Sequence, residues 1–170
     1  MNVYTTMPSP VGELLLAGRQ AQTGRDSIAL TQVSMPRWRN ASAVPGHWRL
    51  APAAFAEVTR QLTDYFAGQR RVFDLELAPA GTEFQQLVWR ALDAIGYGTT
   101  TTYGALAGRL GVPRGRIQAV GAAIGANPLA IVRPCHRVIG ADGTMRGYAG
   151  GVERKQQLLA LEGAALPLLV

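Results

Sequence analysis

The stretch Pro79-Ala80-Gly81 divides this chain into two parts built on different patterns, and that break constrains the fold more than any other feature. Before it, "VYTT", "ELLLAG" and "SIALTQV" are short runs of branched, aromatic or leucine residues separated by the turn-forming "PSPVG" and "GRQAQTGRD". They predict a small antiparallel sheet. Residues 34–49 read as an irregular loop. A helix follows in which Phe55, Val58, Leu62, Tyr65 and Phe66 share one face and which stops near Gly68, and "VFDLELA" reads as a further strand. After the break the pattern turns helical. Thr82 and Gln85 fit a capping box, and Phe84, Leu87, Val88, Ala91, Leu92 and Ile95 recur at helical spacing.

The expected fold class is therefore α/β, of the α+β kind. A β-rich domain over residues 1–79, an antiparallel sheet plus a helix, precedes a mainly helical domain over residues 80–170. In the second domain Thr102 caps "YGALAGRLG", which Gly111 closes, and "VPRG" leads into "RIQAVGAAIGAN", the layout of a helix-turn-helix. At 170 residues and 48% hydrophobic content the chain has enough apolar material for a packed core.

In the second of those helices Ile117, Val120 and Ile124 form one face, and Gln118, Gly121, Ala122 and Gly125 the other. Each glycine costs a helix interior about 1 kcal/mol relative to alanine, so two on one stripe call for a reason other than stability. A smooth face admits another surface close to the backbone, either DNA or the first domain. The net charge is +6, and residues 81–170 carry nine basic against five acidic side chains, compared with eight against six in residues 1–80. A polyanionic partner thus belongs first to the second part, where Arg109, Arg114 and Arg116 flank the smooth helix.

The single cysteine, Cys135, excludes an internal disulfide and suits a reducing compartment, the cytoplasm. No apolar run approaches the ~18 residues of a membrane span, and "MNVYTTMPSP" lacks the layout of a signal peptide. "LAIV" reads as a short strand ahead of Pro134, which places Cys135 at a strand end or turn. His136 is positioned to take the thiol's proton, and a carboxylate beyond it would orient the ring. Glu162 is the candidate, at the end of "ERKQQLLALEG", where the helix dipole disfavours negative charge. A broken local rule is a place to look for function. His47, His136 and one cysteine are too sparse for a zinc site, and no metal or organic cofactor is expected.

"NPLAIVRPCHRVIG", with "TTYGALAGRLG" before it and "GYAGGVERKQQLLALEG" after it, resembles the O6-alkylguanine-DNA alkyltransferases, also called methylated-DNA-protein-cysteine methyltransferases. The likeness is strong over residues 82–163 and only in outline before them. It implies direct-reversal repair, in which an alkyl group passes once from the O6 atom of guanine to Cys135. His136 would activate the thiol through a water, Glu162 complete the relay and Asn127 brace the turn. The second helix of the helix-turn-helix would enter the minor groove of double-stranded DNA containing O6-alkylguanine, contacting it through Arg114, Arg116, Gln118, Ala119, Gly121 and Ala122. Tyr103 would crowd the phosphate during nucleotide flipping and hydrogen-bond the base. The carbonyls of Cys135 and Val138 would accept from the exocyclic amine, the Ala149 amide would meet O6, and Tyr148 would wall the pocket, with Ala130 and Arg146 near its mouth. The resemblance implies a monomer.

The chain departs from that pattern in places. Gln118 stands where the family has an intercalating arginine, Ile117 is bulkier than its counterpart, and Arg133 replaces an apolar residue. Three alternatives stay open: a damage-binding relative with weak or no transfer, a regulator using the helix-turn-helix alone, and a cysteine hydrolase. Cys135 argues against the first and Gln118 for it. The recognition helix offers few polar side chains for the second.

Overall fold

The computed structural model describes residues 1–20, 28–38, 43–145, 147–164 and 168–169. Arg146, most of the "GRQAQTGRD" turn and part of the loop over residues 34–49 lie outside the described residues.

The expected sheet forms from β1 (Asn2–Met7), β2 (Leu14–Gln20) and β3 (Ile28–Ser34) as an antiparallel meander. A two-residue strand, β4 (Arg49–Leu50), adds to β1 in parallel, giving the order β3-β2-β1-β4. α1 (Ala56–Phe66) shares the apolar core with the sheet through its buried Val58, Leu62 and Tyr65, which continue the stripe begun by Phe55. Gly68 ends the helical segment with φ of +74°, a conformation that costs other residues more.

"VFDLELA" does not become a strand. It makes a single bridge, Leu77 to Leu30, closed by Leu30 N donating to Glu76 O and Ala78 N to Leu30 O. Pro79, with no N–H to donate, follows immediately and takes the chain away from the sheet.

α2 (Glu83–Leu92) starts with the predicted capping box: the Thr82 hydroxyl accepts from Gln85 N, and the Gln85 side chain accepts from Thr82 N. Its buried face is rotated from the expected one. Leu87 is exposed, while Trp89, absent from the apolar series, is buried and donates through Nε1 to Ala123 O at 2.8 Å. That bond ties α2 to α4 (Ile117–Gly125). Between them, α3 (Tyr103–Arg109) is capped by Thr102 and followed by Gly111 at φ +68°. α3, a 3-10 turn at Arg114–Arg116, and α4 make the helix-turn-helix. A short parallel pair, β5 (Thr101–Thr102) with β6 (Val138–Ile139), joins it to the segment carrying Cys135, and α5 (Val152–Leu161) closes the domain. One continuous apolar core runs through both parts, from Val3 and Leu16 to Val120, Cys135 and Leu158. Among the described residues no helix is long and apolar enough to cross a membrane.

Candidate active site

"LAIV" is a turn rather than the expected strand. Only Leu129 bridges to the sheet, at Val33, and the chain then folds back on itself with Arg133 N donating to Leu129 O at 3.0 Å. Ile131 has φ of +70°, a left-handed conformation that strains a β-branched residue. Asn127 holds this turn. Its Oδ1 accepts from Leu129 N at 3.0 Å, and its Nδ2 donates to Arg133 O at 3.1 Å and Leu129 O at 3.3 Å. A fully satisfied buried amide can impose a geometry that the local sequence resists.

The turn delivers Cys135 to the start of a 3-10 segment, Cys135–Arg137, with the thiol buried rather than open to a cleft. Burial pushes the thiol up to about 11, against the hydrogen bond from Asn127 and the positive charge of Lys155. The sulfur is therefore a protonated thiol at rest, and a base must remove its proton before it can act as a nucleophile.

His136, the next residue, is the nearest candidate in sequence to take that proton. It is wholly buried, and its Nε2 lies 2.7 Å from Glu162 Oε2, which leaves Nδ1 with no hydrogen-bond partner among the described residues. Burial drives the imidazole pKa below its usual value, outweighing the pull of Glu162, and Arg137 and Lys155 add to the lowering. The ring is accordingly neutral and donates from Nε2 to the carboxylate, and Nδ1 is the free acceptor.

Glu162 forms the C-cap of α5, just before Gly163 at φ +70°. The compensation that the sequence did not show is tertiary. Arg137 Nε donates to Oε1 at 2.8 Å and Nη2 to Oε2 at 3.0 Å, and Tyr65 OH donates to Oε2 at 2.6 Å. Burial alone would raise this carboxyl's pKa. The donors His136, Arg137 and Tyr65 overcome that and hold it at about 2.

Around this relay stand the expected pocket residues. Tyr103 opens α3, half-buried, and its ring lies 3.9 Å from the point where a Cβ on Gly121 of α4 would sit. Burial raises its pKa, and Cys135 raises it further. Val138 is buried, and its carbonyl accepts from Lys155 Nζ at 2.6 Å. Tyr148 is buried with its OH unpartnered among the described residues, and its ring meets Trp38 edge to face at 5.2 Å. Ala149 follows it. A Cβ on the next residue, Gly150, would fall 2.8 Å from Met35 Sδ, so the first part of the chain packs directly on this segment. Ala130 is buried within the turn.

The smooth stripe of α4 faces outward. Gln118 and Ala122 are exposed, Ala119 and Gly121 are half-buried, and Arg114 and Arg116 are exposed beside them. A Cβ on Gly125 would meet nothing within 4 Å. Close packing on the first domain therefore does not explain these small residues.

Both parts of the chain match family models: the ribonuclease-like domain of 6-O-methylguanine DNA methyltransferase over residues 2–79, and its DNA binding domain over residues 83–164. The chain belongs to the 6-O-methylguanine DNA methyltransferases. A methylated-DNA-protein-cysteine methyltransferase of Mycolicibacterium paratuberculosis is 50% identical over 159 residues, which cover 94% of this chain and 91% of that protein. One from Methanosarcina acetivorans is 46% identical over 161 residues, covering 95% and 98%. The crystal structure of Mycobacterium tuberculosis OGT in complex with DNA superposes with a TM-score of 0.85 at 46% identity, covering 96% of this chain and 94% of that one.

Three residues at this methyltransferase site escaped the sequence reading. Tyr65 and Arg137 bind Glu162 directly. Lys155 is buried beside the cysteine, and burial lowers its pKa to about 8. A signal existed for Lys155, the sole lysine in the chain, on an amphipathic helix face that packs inward. Arg133, which stands where the family has an apolar residue, is buried with its Nε 3.3 Å from Asp93 Oδ1.

Proposed function

We propose that this protein repairs alkylated DNA by direct reversal, moving a methyl or other alkyl group from the O6 atom of guanine to Cys135 and keeping it. The observation that carries this reading is the arrangement at the chain's one cysteine. A protonated thiol adjoins a buried neutral histidine, which is locked by one nitrogen onto an ionised carboxylate and free at the other.

The thiol proton passes to His136 Nδ1, directly or through a water, and Glu162 stabilises the imidazolium that forms. Thiolate sulfur attacks the alkyl carbon, an S–C bond forms, and the C–O6 bond breaks. Guanine leaves as an anion stabilised by a hydrogen bond from the Tyr103 hydroxyl and takes up a proton from solvent, to which the His136 imidazolium returns the thiol's proton. The product is a thioether, which has no carbonyl for water to attack, so the protein acts once. Lys155 lends positive charge to the thiolate. The Cys135 and Val138 carbonyls and the Ala149 amide read the base, and Tyr148 walls it in. No metal or cofactor takes part in these steps.

The partner in this reading is duplex DNA carrying O6-alkylguanine. The bare stripe of α4 enters the minor groove, Arg114 and Arg116 meet phosphates, and the damaged nucleotide is flipped out at a cost of a few kcal/mol. Residues 1–79 brace the pocket and residues 80–170 carry DNA binding and transfer. The protein acts as a monomer, in the cytoplasm, where a lone thiol stays reduced.

Labelled O6-methylguanine duplex in excess tests the reading. Intact-mass measurement is expected to find one methyl group added at Cys135 and none in Cys135→Ser. Tight binding to damaged duplex with no mass gain would instead make the protein a damage binder that flips without transfer.

A further inference from the structure

Tyr65 belongs to the helix of the β-rich domain, and its spacing marks it as a core residue. The ring is indeed packed, edge-on to Phe66 at 5.3 Å and to Tyr97 at 6.3 Å, with Phe73 at 5.5 Å. Phenylalanine would fill that space without having to satisfy a buried hydroxyl. The hydroxyl instead crosses to the other domain and donates to Glu162 Oε2 at 2.6 Å, the same oxygen that faces His136 Nε2 at 2.7 Å and Arg137 Nη2 at 3.0 Å. The second oxygen takes Arg137 Nε at 2.8 Å and the more distant Gly98 N at 3.5 Å.

We propose that Tyr65 is a positioning residue for the transfer reaction, by which the first domain sets the aim and the proton affinity of the His136–Glu162 pair. This inference rests on the reaction proposed above. Three donors converging on Oε2 fix the carboxylate, and the carboxylate fixes the imidazole. The phenol also draws negative charge from Oε2. Without it, Oε2 holds the Nε2 proton more strongly and the imidazolium forms more easily. Since His136 must be neutral to take the thiol's proton, its loss of function on acidification then sets in at higher pH.

The groups facing Glu162 are Tyr65 from α1, His136 and Arg137 from the cysteine turn, and the Gly98 amide. Tyr97 lies under Arg137 at 5.7 Å and under Arg71 at 5.3 Å, Lys155 acts on His136 through its charge, and Cys135 and Arg154 lie close enough to act on Tyr148. Lys155 at about 8 and Cys135 at about 11 govern the alkaline side. The acid side therefore reports His136.

The test is the single-turnover rate on O6-methylguanine duplex as a function of pH for the full chain, Tyr65→Phe and Leu62→Ala. Tyr65→Phe is expected to move the acid limb up by about half a unit, about threefold in rate on that limb. Leu62→Ala opens a cavity on the same helix face without touching Glu162, and is expected to lose stability with an unmoved profile. Tyr65→3-fluorotyrosine, a stronger donor on a ring enlarged by one fluorine only, is expected to move the limb down, which keeps the test available if Tyr65→Phe does not fold. A Tyr65→Phe or 3-fluorotyrosine profile that superposes on the natural one overturns the inference. An unmodified protein that transfers nothing overturns the reaction itself.

Discussion

Arg137 grips Glu162 with two parallel hydrogen bonds, Nε to Oε1 at 2.8 Å and Nη2 to Oε2 at 3.0 Å, and its Nη1 donates to Ile95 O at 2.5 Å. A carboxylate at the C-terminal end of a helix, which the dipole opposes, is thereby made the charged centre of the site. Burial, with Arg137 and Lys155 adding to it, keeps the His136 imidazole neutral beside this carboxylate.

Glu162→Gln leaves the Arg137 guanidinium buried without its anion. The expected cost is about 3–5 kcal/mol of stability, read by urea denaturation, and at least about a hundredfold in single-turnover transfer rate. A variant as stable and as fast as the natural protein would contradict the relay.

Stability is expected to fall with acid in two stages. His136 is held below its usual pKa of 6.5, so the unfolded chain binds the proton first and stability declines as pH drops below about 6.5. Glu162 is held at about 2 against a usual 4.5, so its contribution is complete above about 4.5 and is lost as pH falls toward about 2. The stability difference between the natural protein and Glu162→Gln, measured by urea melts across this range, is expected to shrink only in the second stage.

Ala122 lies exposed on the bare stripe of α4. Ala122→Leu is expected to change stability by less than about 0.5 kcal/mol while weakening duplex binding by at least about tenfold, about 1.4 kcal/mol. Unchanged affinity in a fluorescence-anisotropy titration would remove α4 from the interface.

Gln118 is exposed at the start of α4. Gln118→Arg is expected to tighten binding to O6-methylguanine duplex or speed transfer at matched salt, by about threefold or more, through added charge and a larger wedge. No gain in either measurement would mean that Gln118 fills the base stack as well as arginine does.

The Arg133–Asp93 pair makes opposite forecasts for its two members. Asp93→Asn leaves a buried guanidinium whose Nη1 already lacks a partner among the described residues, and is expected to cost about 1–3 kcal/mol. Arg133→Leu removes the buried charge and is expected to be neutral or stabilising by up to about 2 kcal/mol. Thermal melts of both variants test this, and equal losses in the two would overturn it.

The helical half of the fold was legible because its signals are local. The Thr82 capping box, the Thr102 cap and the turn at Gly111 each involve residues three to nine apart, and each lies where its spacing predicts. Strand expectations fared worse where the chain lacked a partner. "VFDLELA" and "LAIV" have strand-like composition, yet each finds one bridge only, since β propensity is realised by neighbours rather than by the segment itself. Leu87 and Trp89 exchanged inside and outside for a similar reason: the indole N–H found a carbonyl on α4, which periodicity does not register.

By itself the sequence determined the order of the helices and of the first three strands, the bare stripe from Gln118 to Gly125, and the candidates Cys135, His136 and Glu162, with Asn127 added by the family resemblance. Short-range sterics, capping and reactivity are written in residue type and spacing. Only the tertiary structure decided the charge states. It buried the thiol and the imidazole, set Arg137 and Tyr65 on Glu162, and brought Lys155 beside the cysteine from twenty residues away. Desolvation and Coulomb interactions depend on distance in space, and a linear chain does not carry that distance.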